Sequence, residues 1–271
     1  MNNFVKRTLS GAVFVTLVVG SILLSQLTFL AFFALISGWS VYEFHKLTNQ
    51  QADININSGL AVSCAVLLFV CSFINASCIW HFPVFSIYGL CLILVVISEL
   101  YAKKKNPIHN WAYFILGQAF IALPFSILNY IVFIKDFQPL ILLSVFVTIW
   151  VNDTGAYLVG VTFGKHRLFE RISPKKSWEG FIGGALFALL SGYIFSRFIP
   201  EISLLNWFIF SEIIVIFGTL GDLTESLLKR TLNVKDSGDV IPGHGGLLDR
   251  FDSMLLAAPA VYLFLSFLFG N

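Results

Sequence analysis

Nine apolar runs, each near the length of a bilayer crossing, constrain this chain more than anything else in it. They cover residues 9–24, 27–44, 59–79, 83–100, 111–134, 140–159, 180–198, 204–220 and 251–269. A hydrocarbon core of about 30 Å is crossed by about 20 apolar residues in a helix. Lipid offers the backbone no hydrogen-bond partners, so a spanning segment is a helix or part of a closed barrel. These runs are unbroken and lack the alternation of barrel strands. The expected fold is therefore all-α, a polytopic transmembrane helix bundle of about nine spans, with residues 1–271 forming one integral membrane domain. Composition agrees: 57% of residues are hydrophobic and 12% charged, against about 45–50% and about 25% in soluble domains. A net charge of +2 gives no basic face for nucleic acid, so no nucleic-acid partner is expected. The 29 Phe residues exclude disorder, and four Cys are too few for a secreted disulfide scaffold.

Basic residues set the expected orientation. With the N-terminus in the cytoplasm and the spans alternating, every one of the 17 lysines and arginines except Lys135 and Arg197 lies on the inner side. Cytoplasmic loops carry such an excess, which predicts N-in and C-out. The first two runs are separated only by Ser25 and Gln26 and can be read as a tight hairpin or as one long segment. Fusing them would set Lys6 and Arg7 opposite Lys46, so two spans fit better. The first run lacks a convincing small-residue cleavage site and reads as a retained helix. Cys64, Cys71, Cys78 and Cys91 all fall inside expected spans. They read as small packing residues rather than a metal or redox cluster, since no Cys-x-x-Cys spacing exists.

Chemistry concentrates after Trp150, in three segments. Asn152-Asp153-Thr154-Gly155-Ala156-Tyr157 sets an acid within an apolar span. Such an acid is costly in lipid and belongs in the bundle interior or a wet cavity. It can ligate a metal or substrate hydroxyls, or it can make a packing hydrogen bond. In Ser173-Pro174-Lys175-Lys176-Ser177-Trp178-Glu179-Gly180, Pro174 reads as a first-turn proline with Ser173 as cap. Lys175, Lys176 and Ser177 beside a helix start would make a phosphate site. The alternative is a plain positive-inside loop with an interfacial tryptophan. In the third segment, Asp222, Glu225, Ser226 and Lys229 share one helix face. Lys235, Asp236 and the turn Pro242-Gly243-His244-Gly245-Gly246 follow, then Asp249, Arg250 and Asp252. Glycine-rich turns let backbone N–H groups approach an anion. Carboxylates suit magnesium, which keeps waters and substrate phosphates as further ligands, while lysines and Arg230 would take phosphate oxygens directly. A solvated loop held by pairs such as Glu225–Lys229 is the plainer reading. His244 is better placed to bind a phosphate or shape the loop than to act as a base.

At these residues the chain resembles a known family. Ser226-x-Leu228-Lys229-Arg230, Lys235-Asp236 and Pro242-x-His244-Gly245-Gly246-Leu247-x-Asp249-Arg250-Phe251-Asp252 resemble the signature of phosphatidate cytidylyltransferases, or CDP-diacylglycerol synthases. The segments around Asp153 and Lys175 are also similar, although Val161 and Thr162 stand where a basic residue is often seen. The resemblance covers about the C-terminal 120 residues; the N-terminal spans match only in hydropathy and the opening Lys-Arg-Thr. It implies the reaction of CTP with phosphatidate to give CDP-diacylglycerol and pyrophosphate. It further implies a divalent metal such as Mg2+ on Asp222 and Asp249, with those two acids and Lys229 catalytic. Asp153, Lys175, Lys176, Ser177, Ser226, Arg230, His244, Gly245, Gly246 and Arg250 are the expected substrate contacts. A monovalent ion as second occupant of the acidic site is compatible with the residues but not readable from them. The implied setting is a homodimer in a bacterial cytoplasmic (inner) membrane, its active site facing the cytoplasm. Residues 1–140 would then be scaffold spans for lipid access and dimer contacts, and 141–271 the catalytic spans. Two rivals share some of these features. A CTP-dependent lipid-alcohol kinase would use the same loop but release CDP, and a transporter would place its charges near the midplane rather than at one face.

Overall fold

The computed structural model describes residues 3–78, 82–240 and 245–270. Among the described residues, each of the nine apolar runs is largely helical. The helices are α1 (Asn3–Leu24), α2 (Gln26–Thr48), α3 (Ser58–Ala76), α4 (Phe85–Ala102), α5 (Pro107–Gly117), α6 (Leu123–Val132), α7 (Pro139–Phe163), α8 (Trp178–Phe198), α9 (Leu204–Thr231), α10 (Leu248–Phe251) and α11 (Met254–Phe269). A π-helical turn, Gln118–Ala122, joins α5 to α6. Among the described residues, eight helical segments are long and apolar enough to cross a membrane, and the ninth is the shorter apolar stretch Thr8–Leu24 of α1. Large apolar side chains such as Leu90, Leu94 and Leu100 on α4 are exposed. That would be a liability in water and is the ordinary condition of a lipid-facing helix.

The first two runs are separate helices. Ser25 takes an extended backbone, and its hydroxyl accepts from Thr28 N while Thr28 Oγ1 accepts from Ser25 N. This reciprocal capping satisfies the donors left open by a new helix start, so two residues suffice to break the apolar stretch.

The chain forms two compact units, Met1–Phe137 with Asp236–Arg250, and Gln138–Lys235 with Phe251–Asn271. In the first, α3 packs against α2, α4, α6 and the π-helical turn. Phe29, Phe33, Phe44, Phe69, Phe125 and Leu128 are fully buried there. Between helices, polar side chains act as glue: Gln118 Nε2 donates to Ala61 O at 3.0 Å and Asn129 Nδ2 to Phe69 O at 3.3 Å. The four cysteines are free thiols, and Cys64 and Cys91 meet across α3 and α4. At one end of this unit the connections touch. Lys105 pairs with Asp53 at 2.6 Å, and Asn55 N donates to Asn110 Oδ1 at 2.8 Å.

In the second unit α8 lies between α7 and α9, and α9 packs against α11. Glycines let the backbones approach closely, as small residues do in membrane bundles. A Cβ on Gly183 would come within 2.5 Å of Val159, one on Gly180 within 2.8 Å of Ala156 O, and one on Gly184 would collide with Asn152. Likewise, a Cβ on Gly221 of α9 would strike Asp252 O at 2.6 Å.

One local expectation is corrected. Ser173–Ser177 is a strand, β2, paired antiparallel with β1 (Arg167–Phe169), so Pro174 does not open a helix. The helix starts four residues later, where Ser177 is the cap and its hydroxyl accepts from Gly180 N at 3.1 Å. Both serines satisfy the local capping rule. The hairpin wins because Glu179, in the first turn of α8, accepts from Lys165 N, His166 N and His166 Nδ1. Those contacts fold the preceding segment back on itself.

Candidate active site

The second unit contains a cavity of about 260 Å³. Asn152, Asp153, Ala156, Tyr157 and Gly160 of α7 form one wall; Lys175, Lys176 and Ser177 of β2, Gly180 and Phe181 of α8, and Thr219 and Asp222 of α9 form the rest. Three segments singled out for chemistry therefore share one space. The hairpin aims its lysines inward: Lys176 Nζ lies 2.6 Å from Asp222 Oδ2, both side chains being partly exposed. Asp222 also accepts from Ser226 Oγ at 3.2 Å, one helical turn on. Asn152 Nδ2 is 3.4 Å from Asp153 Oδ1. Helix α9 continues to Thr231, well past the apolar run, and so carries Asp222, Glu225, Ser226 and Lys229 on one rigid rod.

Lys229 pairs with Glu225, which is fully buried. The plainer reading of that pair is thus realised in the structure: Lys229 neutralises a neighbour that would be costly to bury alone. Arg230 lies exposed at the end of α9 and does not line the cavity. Asp252, in the turn between α10 and α11, lies among the charges of Asp222, Glu225 and Asp153.

The remaining expected residues belong to the first unit. Gly245 takes φ +83°, a left-handed conformation suited to glycine. Asp249 Oδ2 accepts from Gly246 N at 2.8 Å and from Ser237 N at 2.9 Å, with Ser237 Oγ at 3.0 Å. Arg250 is exposed. His244 lies outside the described residues, as do Pro242 and Gly243. Asp222 and Asp249 fall in different units.

Oxygen-only donors crowded with like charge are what a hard divalent cation relieves, and Asp153, Asp222 and Asp252 supply that chemistry. Among the described residues, however, no three His, Cys, Asp or Glu side chains are already arranged to hold a metal. Carboxylate donors of this kind are the class that magnesium takes, with waters and substrate oxygens as further ligands.

Two further residues border these groups, Asn152 from the first of the three segments and Glu43 from outside them. Asn152 lines the cavity beside Asp153. Glu43 of α2 is 2% exposed and bonded to the loop that carries Asp249. An acid inside an apolar run is itself a signal, and in α2 it stood unread.

Comparison with known proteins agrees with this geometry. The sequence profile of the Cytidylyltransferase family matches residues 5–268. A phosphatidate cytidylyltransferase of Haemophilus influenzae is 38% identical over 193 residues, covering 64% of this chain and 63% of the relative. One of Bacillus subtilis is 39% identical over 182 residues, 65% of each. One of Rickettsia felis is 36% identical over 221 residues, 79% of this chain and 92% of the relative. The matched stretch thus spans just under two thirds of the length of the first two. With a profile that runs nearly end to end, the chain belongs to the cytidylyltransferase family.

Proposed function

We propose that this protein condenses CTP with phosphatidate to give CDP-diacylglycerol and pyrophosphate. The observation that carries the reading is the cavity in which Lys175, Lys176 and Ser177 face Asp153 and Asp222. The names of its relatives support the choice of substrates. A phosphate oxygen of phosphatidate attacks the α-phosphorus of CTP, the new P–O bond forms, and pyrophosphate leaves. A phosphate is already a nucleophile near neutral pH, so no strong base is needed. The protein's work is positioning and charge neutralisation. Lys175 and Lys176 hold phosphate oxygens, and the Ser177 cap keeps the strand and helix that present them in register. Asp222 and Asp249 would hold Mg2+, and Asp252 and Asp153 would add negative charge to the site. A bound magnesium would neutralise the phosphates and assist the leaving group. A monovalent ion as second occupant suits the same acidic group. Arg230, Ser226, His244, Gly245, Gly246 and Arg250 contribute further phosphate contacts.

The same reading places the site at the cytoplasmic face of an inner membrane, N-in and C-out, in a homodimer whose first 140 residues supply scaffold and dimer contacts. The distribution of basic residues supports the sidedness. Purified protein given CTP, phosphatidate and Mg2+ should release pyrophosphate. Release of CDP instead would identify a lipid kinase, and no nucleotide turnover would overturn the reading. Impermeant labelling of single cysteines near each terminus should modify them from opposite sides, and light scattering should give twice the mass of one chain.

A further inference from the structure

We infer that Glu43 is a positioning residue for the transfer: it ties Ser237 to Leu247 and Leu248 and through them fixes Asp249. This rests on the reading of the activity given above. Glu43 stands one turn from the end of α2 and is 2% exposed. An ionisable group buried at a membrane helix end is costly unless its oxygens are satisfied. Here both are. Oε1 accepts from Leu247 N at 3.0 Å and from Trp39 Nε1 at 3.2 Å. Oε2 accepts from Leu248 N at 2.9 Å and from Ser237 Oγ at 3.1 Å. The carboxylate thus grips the loop at both of its ends, Ser237 before the turn and Leu247–Leu248 after it.

Ser237 links this anchor to the expected metal-binding acid. Its backbone N–H donates to Asp249 Oδ2, and its single hydroxyl hydrogen is shared between that oxygen and Glu43 Oε2. Ser237 is 1% exposed, so this exchange is shielded from water. The neighbouring glycines leave no slack. A Cβ on Gly246 would collide with Ser237 and come within 2.6 Å of Glu43 Oε2, and one on Gly238 would lie 2.8 Å from Glu43 Oε1. Gly238 and Gly246 thus pack against this one carboxylate, and Leu248 opens the short helix that presents Asp249. Glu43 touches neither nucleotide nor lipid in this scheme. It decides where Asp249 points.

The test uses full-length protein in detergent and compares wild type with Glu43→Gln and Ser237→Ala. Glu43→Gln keeps the volume but turns two acceptor positions into donors facing Leu248 N and Ser237 Oγ. Losing a hydrogen bond to a charged group is worth about ten- to a hundredfold. The expected result is therefore a kcat lowered about tenfold or more with KM for phosphatidate within about twofold of wild type. The half-saturating Mg2+ concentration should rise in parallel. Trypsin should cut faster at Lys235 and Arg250, which flank the loop. Ser237→Ala should move every readout the same way by less, and it decides the matter alone if Glu43→Gln does not purify. Faster cleavage with unchanged kcat would overturn the positioning role. Unchanged cleavage, with or without a lower kcat, would overturn the anchoring. Faster cleavage in a protein whose wild type makes no CDP-lipid would overturn the activity reading and leave the anchoring standing.

Discussion

The two units treat their carboxylates in opposite ways. In the first, Glu43 and Asp249 accept from backbone N–H groups and a serine, and the result is a shaped loop. In the second, Asp153 and Asp222 line an open cavity, with Asp222 meeting Lys176. Backbone donors are fixed, neutral and close-packed, so a carboxylate that uses them sets geometry. A lysine on a short strand is mobile and charged, so a carboxylate that meets it can exchange that partner for a phosphate or a metal. One region holds its shape and the other holds exchangeable charge, and the proposed nucleotidyl transfer requires both.

The comparison breaks most sharply at the two acids. Asp222→Asn and Asp249→Asn are each expected to lower turnover about a hundredfold or more, since several kcal/mol of metal stabilisation is lost. The double variant should be little worse than either single one, because groups that act as a unit are not additive. Only Asp249→Asn should also speed tryptic cleavage of the loop. Equal loop protection in both variants would erase the distinction between the regions. Next in size, Lys176→Ala is expected to lower kcat/KM about ten- to a hundredfold while the protein purifies normally; wild-type kinetics would return that lysine to the role of a membrane-sidedness charge. Smaller again, Gly184→Ala pushes a Cβ against Asn152 side chain and backbone. Overpacking of that kind costs about 1–3 kcal/mol, to be read as a lowered unfolding midpoint in detergent.

The smallest effect belongs to the exposed pair Lys105–Asp53. Lys105's hydrogen bond and charge hold the Asp53 carboxyl below its ordinary range, and Asp53 in turn holds the ammonium above its own. The pair's contribution is therefore complete between the ordinary carboxylate and lysine titrations. It fades in acid as pH falls through the lowered Asp53 value, and in alkali as pH rises through the raised Lys105 value. Lys105→Ala should move the unfolding midpoint least of these variants at neutral pH, with salt shrinking the difference further.

Hydropathy made the spans legible because each must satisfy its own backbone in lipid. The break at Ser25 was legible only through the basic residues on either side of it; the capping box that makes it is seen in the structure. The hairpin was not. Ser173-Pro174 and Ser177 both satisfy the same short-range rule, and the choice between them depends on Glu179 reaching back fourteen residues to Lys165. Asp153, Lys175, Lys176, Ser177 and Asp222 could be named from their residue types, and the structure brings them to one cavity. Glu43 could not be assigned, since its partners sit about two hundred residues away, beyond any periodicity or local motif. The acidic neighbours of Asp252 were illegible for the same reason: they come from α7 and α9.

That separation has a consequence for how the molecule is made. A ribosome delivers α2 to the membrane long before it reaches Ser237, 194 residues later, and Leu248, 205 residues later. Domains generally fold in order of synthesis, yet the first unit of this chain cannot close in that order. Throughout the insertion of α3 to α9, Glu43 therefore lacks the donors of Ser237, Leu247 and Leu248. The return of 236–250 therefore acts as the last stitch. Nascent chains halted before Asp236 should hold Glu43 open to solvent, and those that pass Leu248 should seal it.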